Sequence, residues 1–332
     1  MDFRLTDEQR ELARLARRVA EGTAGRPTDT SAPEVDWSPL AETGLMGLLI
    51  GEADGGSGAT LVEAAILAEE LGRAGAPAAV VGSALIAASA LDLVPAPELR
   101  RELRQALAAG RPMSVMVGED LAWPPVNQPV AWGWHSGCLA IGPVEDGLGL
   151  VEITGAAVSP TQDLGLFVAR PKSSALETAI ETTRAGQQFL AATNVILSSL
   201  LVGTMERALS MAVDHAKNRE QFGVKIGTFQ AIKHLCADMF VDVESSRSAA
   251  YGAAAIVATA SDIGRAVHSA AVAKAWCGDA AVRVCEGAVQ VHGGMGFTWE
   301  CDVHRYLRAA LVARASFMSS DRAVDVVAGC AA

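Results

Sequence analysis

The sequence predicts a mainly α-helical protein with a small β domain in its middle. The first hundred residues place apolar side chains at helical spacing behind capping motifs. Residues 111–170 differ, because prolines cluster there and the apolar residues come in short runs. The remainder returns to long, alanine-rich helical sequence. A chain of 332 residues can hold several domains. We therefore expect a helical domain at 1–110, a shortened β domain at 111–176 and a four-helix domain at 177–332.

Two capping boxes predict where helices begin in the first domain. Thr6 with Gln9 marks one start, and Thr60 with Glu63 marks the other. Between them, residues 51–58 are rich in glycine and resemble a phosphate-binding loop at first sight. The stretch lacks the Lys-Ser/Thr pair of a P-loop, and no βαβ pattern surrounds it. We expect a tight turn there.

Four short apolar runs predict the strands of the β domain. They are 114–117, 138–141, 148–153 and 166–169. Three tryptophans, Trp123, Trp132 and Trp134, lie among the prolines of this region. Such residues could stack on a flat ring, but in a proline-rich loop they more often anchor the loop or an interface.

Helical spacing in the last domain predicts four helices. They are expected at 187–218, 228–260, 262–290 and 301–328. Asp262 is a suitable cap for the third of them.

Composition excludes several classes of function. The net charge of −11 argues against a general nucleic-acid binder, which needs a basic face. The first twenty residues are charged and amphipathic, unlike a secretory leader, so we expect a cytoplasmic protein. The longest apolar stretch, 78–91, is too short to cross a bilayer and reads as a buried helix. The six cysteines show no Cys-x-x-Cys pair and the histidines no ligand spacing, so no metal site is predicted.

Two segments carry the residues best suited to an anionic ligand. One is Asn-Arg-Glu-Gln-Phe-Gly at 218–223, and the other is Gln-Val-His-Gly-Gly at 290–294. Arginine suits a phosphate because its planar fork donates two parallel hydrogen bonds, and glycine lets a backbone approach pyrophosphate closely. Each feature alone also has a structural explanation. The macrodipole favours an arginine at a helix C-terminus, and glycine commonly ends a helix.

Together these two segments resemble the C-terminal helical domain of the acyl-CoA dehydrogenase family of flavoproteins. The resemblance is strong over 190–310, fair over 1–75 and poor in the middle. It implies an α–β–α architecture with FAD as cofactor, shared with a partner subunit. It also implies that a set of residues contacts the ADP half of FAD held by that neighbouring subunit. These residues are Arg219, Phe222, Gln230, Gln290, Gly293 and Gly294.

The resemblance also exposes a missing base. In this family a carboxylate removes the proton next to the thioester while flavin accepts a hydride from the next carbon. Its usual position falls on Phe317, and the alternative position on an earlier helix falls on Thr193. Neither side chain can take a proton from carbon. Asp321 is the nearest carboxylate in sequence and is expected to be a solvated helix residue. The β domain also lacks the segment with which family members hold the isoalloxazine ring.

These observations favour a non-catalytic or half-site subunit of a heteromeric acyl-CoA dehydrogenase, with α2β2 as the expected assembly. A longer homologous partner would supply the base and the ring pocket. Analogy adds an electron-transfer flavoprotein as electron acceptor and a steroid side-chain CoA as substrate. Two alternatives remain open: a self-sufficient homo-oligomeric dehydrogenase with an unrecognised base, and a flavin-free scaffold subunit.

Overall fold

The computed structural model describes residues 5–23, 35–125, 129–135, 137–144, 147–153, 159–160, 166–170 and 183–331. Helices form both ends of the chain and a mixed sheet lies between them. The expected boundary at 110/111 falls between the last N-terminal helix and the first strand, whereas that at 176/177 lies outside the described residues. The N-terminal helices are α1 (Asp7–Thr23), α2 (Ser38–Glu42), α3 (Leu61–Ala74), α4 (Ala78–Val81), α5 (Ala88–Ala90) and α6 (Pro97–Ala108).

Both predicted capping boxes are confirmed. The Thr60 N–H donates to Glu63 Oε2 at 2.9 Å, while the Val62 N–H donates to Thr60 Oγ1. The Thr6 and Gln9 pair is reciprocal, at 3.0 and 3.2 Å. These bonds satisfy N–H groups that have no partner inside the helix. The glycine-rich stretch at 51–58 is a tight turn, as expected, with left-handed glycines inside it.

The apolar stretch that begins at residue 78 is a buried helical segment. It continues from α4 through a wider turn, Gly82–Ala87, into α5 and ends in a 3-10 turn at Leu91–Leu93. The Ser83 hydroxyl on this segment donates to the carbonyl of Met113 at 2.8 Å. The segment therefore ties the N-terminal helices to the first strand of the sheet.

In the described parts of 113–169 the sheet has six strands in the order β4-β3-β1-β2-β6-β5, with β1 parallel to β3 and the other pairs antiparallel. The strands are β1 (Met113–Val117), β2 (Val130–Trp132), β3 (Leu139–Val144), β4 (Gly147–Val151), β5 (Ser159–Pro160) and β6 (Phe167–Ala169). All four expected runs contribute a strand. Trp132 was expected in a loop but lies in β2, opposite Val115. Three residues between prolines are too few to show an alternating pattern, so the sequence could not reveal this strand.

Residues 183–331 of the C-terminal domain form five helices where four were expected. They are α7 (Arg184–Asn218), α8 (Gln230–Thr259), α9 (Ile263–His292), α10 (Val303–Ala315) and α11 (Ser320–Ala331). Asp262 caps α9, accepting from the Gly264 N–H at 3.0 Å. The single helix predicted at 301–328 is wrong, because the chain breaks at 316–319 and Phe317 adopts a φ of 62°. The break turns the Phe317 side chain into the protein interior, where it is fully buried.

Helix α7 is the centre of the molecule. It is long and apolar enough to cross a membrane by length and composition alone, but 83% of its apolar window is buried inside the molecule. That burial is what a core helix shows. Gly203 on α7 and Gly72 on α3 allow these helices to touch, since a Cβ at either position would overlap backbone of the other helix.

An ionic network closes the same junction between the two helical domains. Arg73 on α3 and Arg247 on α8 both hydrogen-bond to the carboxylate of Glu206 on α7. Burial raises the Glu206 pKa, but the hydrogen bonds and charges of these two arginines outweigh it and hold the pKa below its ordinary value. Glu69 and Glu70 on α3 are also buried and paired with arginines, so the network links α3 to α1 and α8 as well.

Candidate functional site

The C-terminal ends of α7 and α9 lie side by side. The His215 ring on the last turn of α7 stacks on the His292 ring at the end of α9, with 4.4 Å between centroids. Nδ1 of His292 lies 2.7 Å from the carbonyl oxygen of Ala288, so this nitrogen carries the proton. Burial, followed by the charges of His292 and Arg219, lowers the pKa of His215. The structure thus brings together the two segments that the sequence singled out.

Arg219 begins a short hairpin at this end of the bundle. Strands β7 (Glu220–Gln221) and β8 (Val224–Lys225) pair around a two-residue turn at Phe222 and Gly223. Both turn residues have positive φ, 54° and 79°, as a type I′ turn requires. Positive φ is uncommon for a phenylalanine, and the Phe222 side chain is 92% exposed. The hairpin therefore projects an aromatic ring and a guanidinium away from the bundle.

The Gln290–Gly294 turn presents open backbone beside the hairpin. Gly293 ends α9 with a φ of 62°, and a Cβ on Gly293 or Gly294 would meet no atom within 4 Å. Gln290 is exposed on the last turn of α9. None of the described residues therefore fills the space over these glycines, and a ligand group could approach their backbone closely.

Gln230 is the first residue of α8, which begins directly after the hairpin. Phe229 occupies the N-cap position of α8 and makes no side-chain capping bond. The first N–H groups of this helix are thus uncapped by that side chain, at the end where the helix dipole favours an anion. All six expected cofactor residues lie on the hairpin, on the turn or at the adjoining helix ends.

Exposed aromatic side chains that the sequence reasoning missed surround the turn. Phe297 is 76% exposed and Trp299 55% exposed, and the Arg308 guanidinium lies 5.6 Å from the centre of the Trp299 ring. The sequence could have revealed these residues, because aromatic residues in a glycine-rich turn have little of their own chain to pack against.

Phe317, where the resemblance leads us to expect the family's base, belongs to an aromatic cluster, which we define as Trp123, Trp132, Phe189 and Phe317. Phe317 meets Trp132 and Phe189 edge-on at 5.6 and 6.1 Å between ring centres, and Phe189 meets Trp123 at 4.9 Å. All four side chains are at most 2% exposed. Trp123 and Trp132 therefore cannot stack on a bound ring, because other side chains already cover them.

Backbone hydrogen bonds fix this cluster in place. The Phe317 N–H donates to the Leu121 carbonyl at 2.7 Å, and the Trp123 N–H donates to the Phe317 carbonyl at 3.0 Å. We call this pair the backbone bridge. The Trp132 Nε1–H also donates to Ser316 Oγ at 3.1 Å. The sheet and the C-terminal helices are thus joined at Ser316 and Phe317.

Thr193 on α7, the alternative position that the resemblance gives for the base, is fully buried, and its hydroxyl makes no hydrogen bond to any described residue. Its neighbours on α7 line a cavity of about 400 Å³, whose lining includes Leu190, Asn194, Val267, Met318, Arg322 and Val326. None of the described residues that line it is a carboxylate or a histidine. Asp321 is 81% exposed and lies 3.0 Å from Arg314, as expected of a solvated helix residue.

Comparisons with known proteins show the family to which the two helical domains belong. Residues 6–111 match the acyl-CoA dehydrogenase N-terminal domain, and residues 183–327 match the acyl-CoA dehydrogenase C-terminal domain. The chain is 30% identical to acyl-CoA dehydrogenase IpdE2 of Mycolicibacterium smegmatis over 312 residues, covering 91% of this chain and 92% of that protein. It is 34% identical to FadE34 of Mycobacterium tuberculosis over 333 residues, covering 92% of this chain and 45% of that longer protein.

Solved structures show the same fold. The ChsE4-ChsE5 complex from Mycobacterium tuberculosis contains a chain that superposes with a TM-score of 0.80 at 23% identity, covering 100% of this chain and 98% of that one. Butyryl-CoA dehydrogenase from Megasphaera elsdenii gives a TM-score of 0.77 at 20% identity, covering 100% of both chains. The matched domains, the relatives and the shared fold lead to one conclusion: this chain belongs to the acyl-CoA dehydrogenase family.

Proposed function

We propose that this chain is a non-catalytic subunit of a heteromeric FAD-dependent acyl-CoA dehydrogenase, assembled as α2β2 with a longer homologous partner. The observation that carries the proposal is the aromatic cluster around Phe317. A proton acceptor must reach the carbon next to the thioester, and the side chains at both family positions for it are Phe317 and Thr193. The partner would therefore supply the base and the pocket for the isoalloxazine ring.

The part left to this chain is to hold the ADP tail of the partner's FAD. Bound FAD supplies the hydride acceptor, and this chain's residues position the cofactor without entering the chemistry. Arg219 suits a diphosphate oxygen because its charge persists at any working pH and its side chain reaches beyond the bundle. Gly293 and Gly294 offer unobstructed backbone N–H groups, and Gln290 and Gln230 offer amides beside them. Phe222 provides an exposed ring against which an adenosine could pack.

The names of relatives support a bulky substrate. One neighbour in fold, at 24% identity and a TM-score of 0.74 over 98% of this chain and 99% of that one, is described as the Tcur3481-Tcur3483 steroid ACAD. The ChsE4-ChsE5 structure is described as a complex of two named chains. By analogy with the first of these proteins we propose an acyl-CoA carrying a steroid side chain as the substrate. The resemblance to the family adds the proposal of an electron-transfer flavoprotein as the acceptor, and the charged first twenty residues add that of the cytoplasm as the compartment.

The test uses this chain purified with the homologous subunit of the same organism that retains the glutamate. Arg219→Ala should weaken FAD retention in the complex roughly 10- to 100-fold, the loss expected for one charge-assisted hydrogen-bonded contact of about 1.5–3 kcal/mol. Arg265→Ala is the matched control, because Arg265 is an exposed arginine on the first turn of α9, at the opposite end of the bundle. FAD is measured by absorbance against protein after gel filtration.

Two outcomes would overturn the proposal in favour of its alternatives. Stoichiometric FAD and turnover in this chain purified alone would establish a self-sufficient dehydrogenase. Unchanged FAD content in the Arg219→Ala complex would leave a scaffold subunit without flavin contacts.

A further inference from the structure

A groove of about 450 Å³ lies where α1, α3, α7 and α8 meet, at the junction of the two helical domains. Part of its wall is apolar and includes Leu5, Ala13 and Ile66. The rest is mainly ionic, with three arginines and four glutamates: Glu69, Glu70, Glu206 and Glu244. We call it the Glu69 groove. Among its described lining residues, carboxylates thus outnumber guanidinium groups.

The arginines of the Glu69 groove are already bound to these carboxylates. All three guanidinium nitrogens of Arg73 donate to glutamates of the groove, and so do all three of Arg247. Arg17 donates from two of its nitrogens to Glu70. An anionic ligand would therefore have to compete for these donors, and it would add to the excess of negative charge.

The Glu69 carboxylate is only half satisfied by this arrangement. Its Oε1 accepts from Nε of Arg247 at 3.1 Å, whereas its Oε2 hydrogen-bonds to no described residue, although Glu69 is only 6% exposed. Burial raises the pKa of Glu69, and the charge of Arg247 and the nearby Tyr251 hydroxyl oppose this shift without cancelling it. A buried carboxylate oxygen without a donor is costly, so a cationic donor that reaches it gains binding energy.

We propose that the Glu69 groove binds a small aliphatic amine, whose ammonium group pairs with the Glu69 carboxylate. An ammonium brings three N–H donors together with the positive charge that the groove lacks. The Tyr251 hydroxyl lines the same groove and can accept one of these donors. The methylene chain of the amine would lie against the apolar wall, which Leu5, Ala13 and Ile66 form.

This site is separate from the candidate cofactor site. Glu206 and Arg219 lie about 20 Å apart along α7, from the rise of 1.5 Å per helical residue. The bound amine would contact both helical domains, because Glu69 lies on α3 and Tyr251 on α8. It should therefore stabilise the junction between them. The inference stands or fails independently of the flavin contacts, which the FAD content of the Arg219→Ala complex tests.

Isothermal titration calorimetry of the purified full chain with butylammonium chloride at pH 8 tests the proposal. We expect one saturable site and a Tm that rises with the amine concentration. Glu69→Gln should weaken binding roughly 10-fold or more, the loss expected when one charge-assisted contact is removed. Glu102→Gln is the matched control, because Glu102 is exposed on α6, which does not line the groove, and it should leave the Kd unchanged.

A second variant covers the case in which Glu69→Gln does not fold, as judged by circular dichroism. Ala13→Leu keeps every ionic group and fills part of the apolar wall, so it should also weaken butylammonium binding roughly 10-fold. Tetramethylammonium carries the same charge without an N–H donor, and at equal concentration it should neither bind nor raise the Tm. This comparison separates a specific site from general screening of charge.

Acidification provides a further check, because the proposed contact requires an ionised Glu69. Butylammonium should bind more weakly at pH 5 than at pH 8, since the raised pKa of Glu69 favours its neutral form at acid pH. Three results would overturn the proposal. They are the absence of saturable butylammonium binding at pH 8, equal binding of tetramethylammonium, and full affinity in either the Glu69→Gln or the Ala13→Leu variant.

Discussion

Replacing Phe317 by glutamate would put a carboxylate where the resemblance leads us to expect the family's base, and it should still fail to create a dehydrogenase. Phe317 is fully buried against two other rings, and its backbone is fixed by the backbone bridge. A glutamate there loses the aromatic packing and buries a carboxyl group in an apolar cluster. From the cost of truncating a buried phenylalanine and of leaving a buried polar group unpaired, we expect a loss of about 4–6 kcal/mol in the free energy of unfolding.

The pH dependence of the destabilisation provides a second, independent test of this prediction. Burial should raise the folded-state pKa of the new carboxyl above its unfolded value of about 4.3. Such a group is tolerated while it is protonated, so the destabilisation should be smallest below about pH 4 and should grow as the pH rises.

Thermal and urea unfolding of the purified chain at pH 5 and pH 8, followed by circular dichroism, measures the effect. Phe240→Glu is the matched control, because Phe240 is 56% exposed and the same substitution there should change stability by less than about 0.5 kcal/mol. A Phe317→Glu chain with unaltered stability and acyl-CoA turnover would refute the conclusion that the aromatic cluster closes this site.

Two further predictions concern buried positions outside the candidate site. Gly203→Ala should cost about 1–3 kcal/mol of unfolding free energy, because its Cβ would overlap the Glu69 carbonyl where α7 crosses α3; Gly22→Ala on α1, with open space around it, should be neutral or stabilising in the same urea titration. Lys274 is fully buried, and this burial lowers its pKa from 10.5 to about 7. The folded protein therefore favours the neutral amine, and its free energy of unfolding should rise as the pH increases from about 7 to about 10.5. Lys274→Met removes that pH dependence. The change that this substitution makes in the free energy of unfolding should therefore be about 2–4 kcal/mol more favourable at pH 7.5 than at pH 10. Parallel curves of unfolding free energy against pH for the two proteins would contradict the argument.

The sequence predicted those parts of the fold that depend on local chemistry. Capping residues such as Thr60 and Asp262 act on N–H groups two or three positions away, so their effect is readable from the chain alone. The break at Phe317 is not readable in this way, because it arises from contacts with Leu121 and Trp132, far off in sequence. Local spacing alone favoured one continuous helix there.

The candidate site was likewise predictable from the sequence only where it depends on local chemistry. The residue types at Arg219 and Gly293 indicated a phosphate ligand, and the resemblance to the family placed them in one site. Their meeting at one end of the bundle depends on α7 and α9 running side by side, which the stacked His215 and His292 rings demonstrate. The burial of Trp123 and Trp132 by other side chains is likewise a tertiary property, and the proline-rich sequence around them did not predict it.

The backbone bridge has a consequence for how the protein is made. It joins Leu121 and Trp123 to Phe317, a residue that leaves the ribosome only after the long helices between them have been synthesised. Until then the nascent sheet lacks the ring that covers Trp132, and apolar surface stays open to chaperones or to premature association. Maturation of the central domain therefore waits for synthesis of the C-terminal helices.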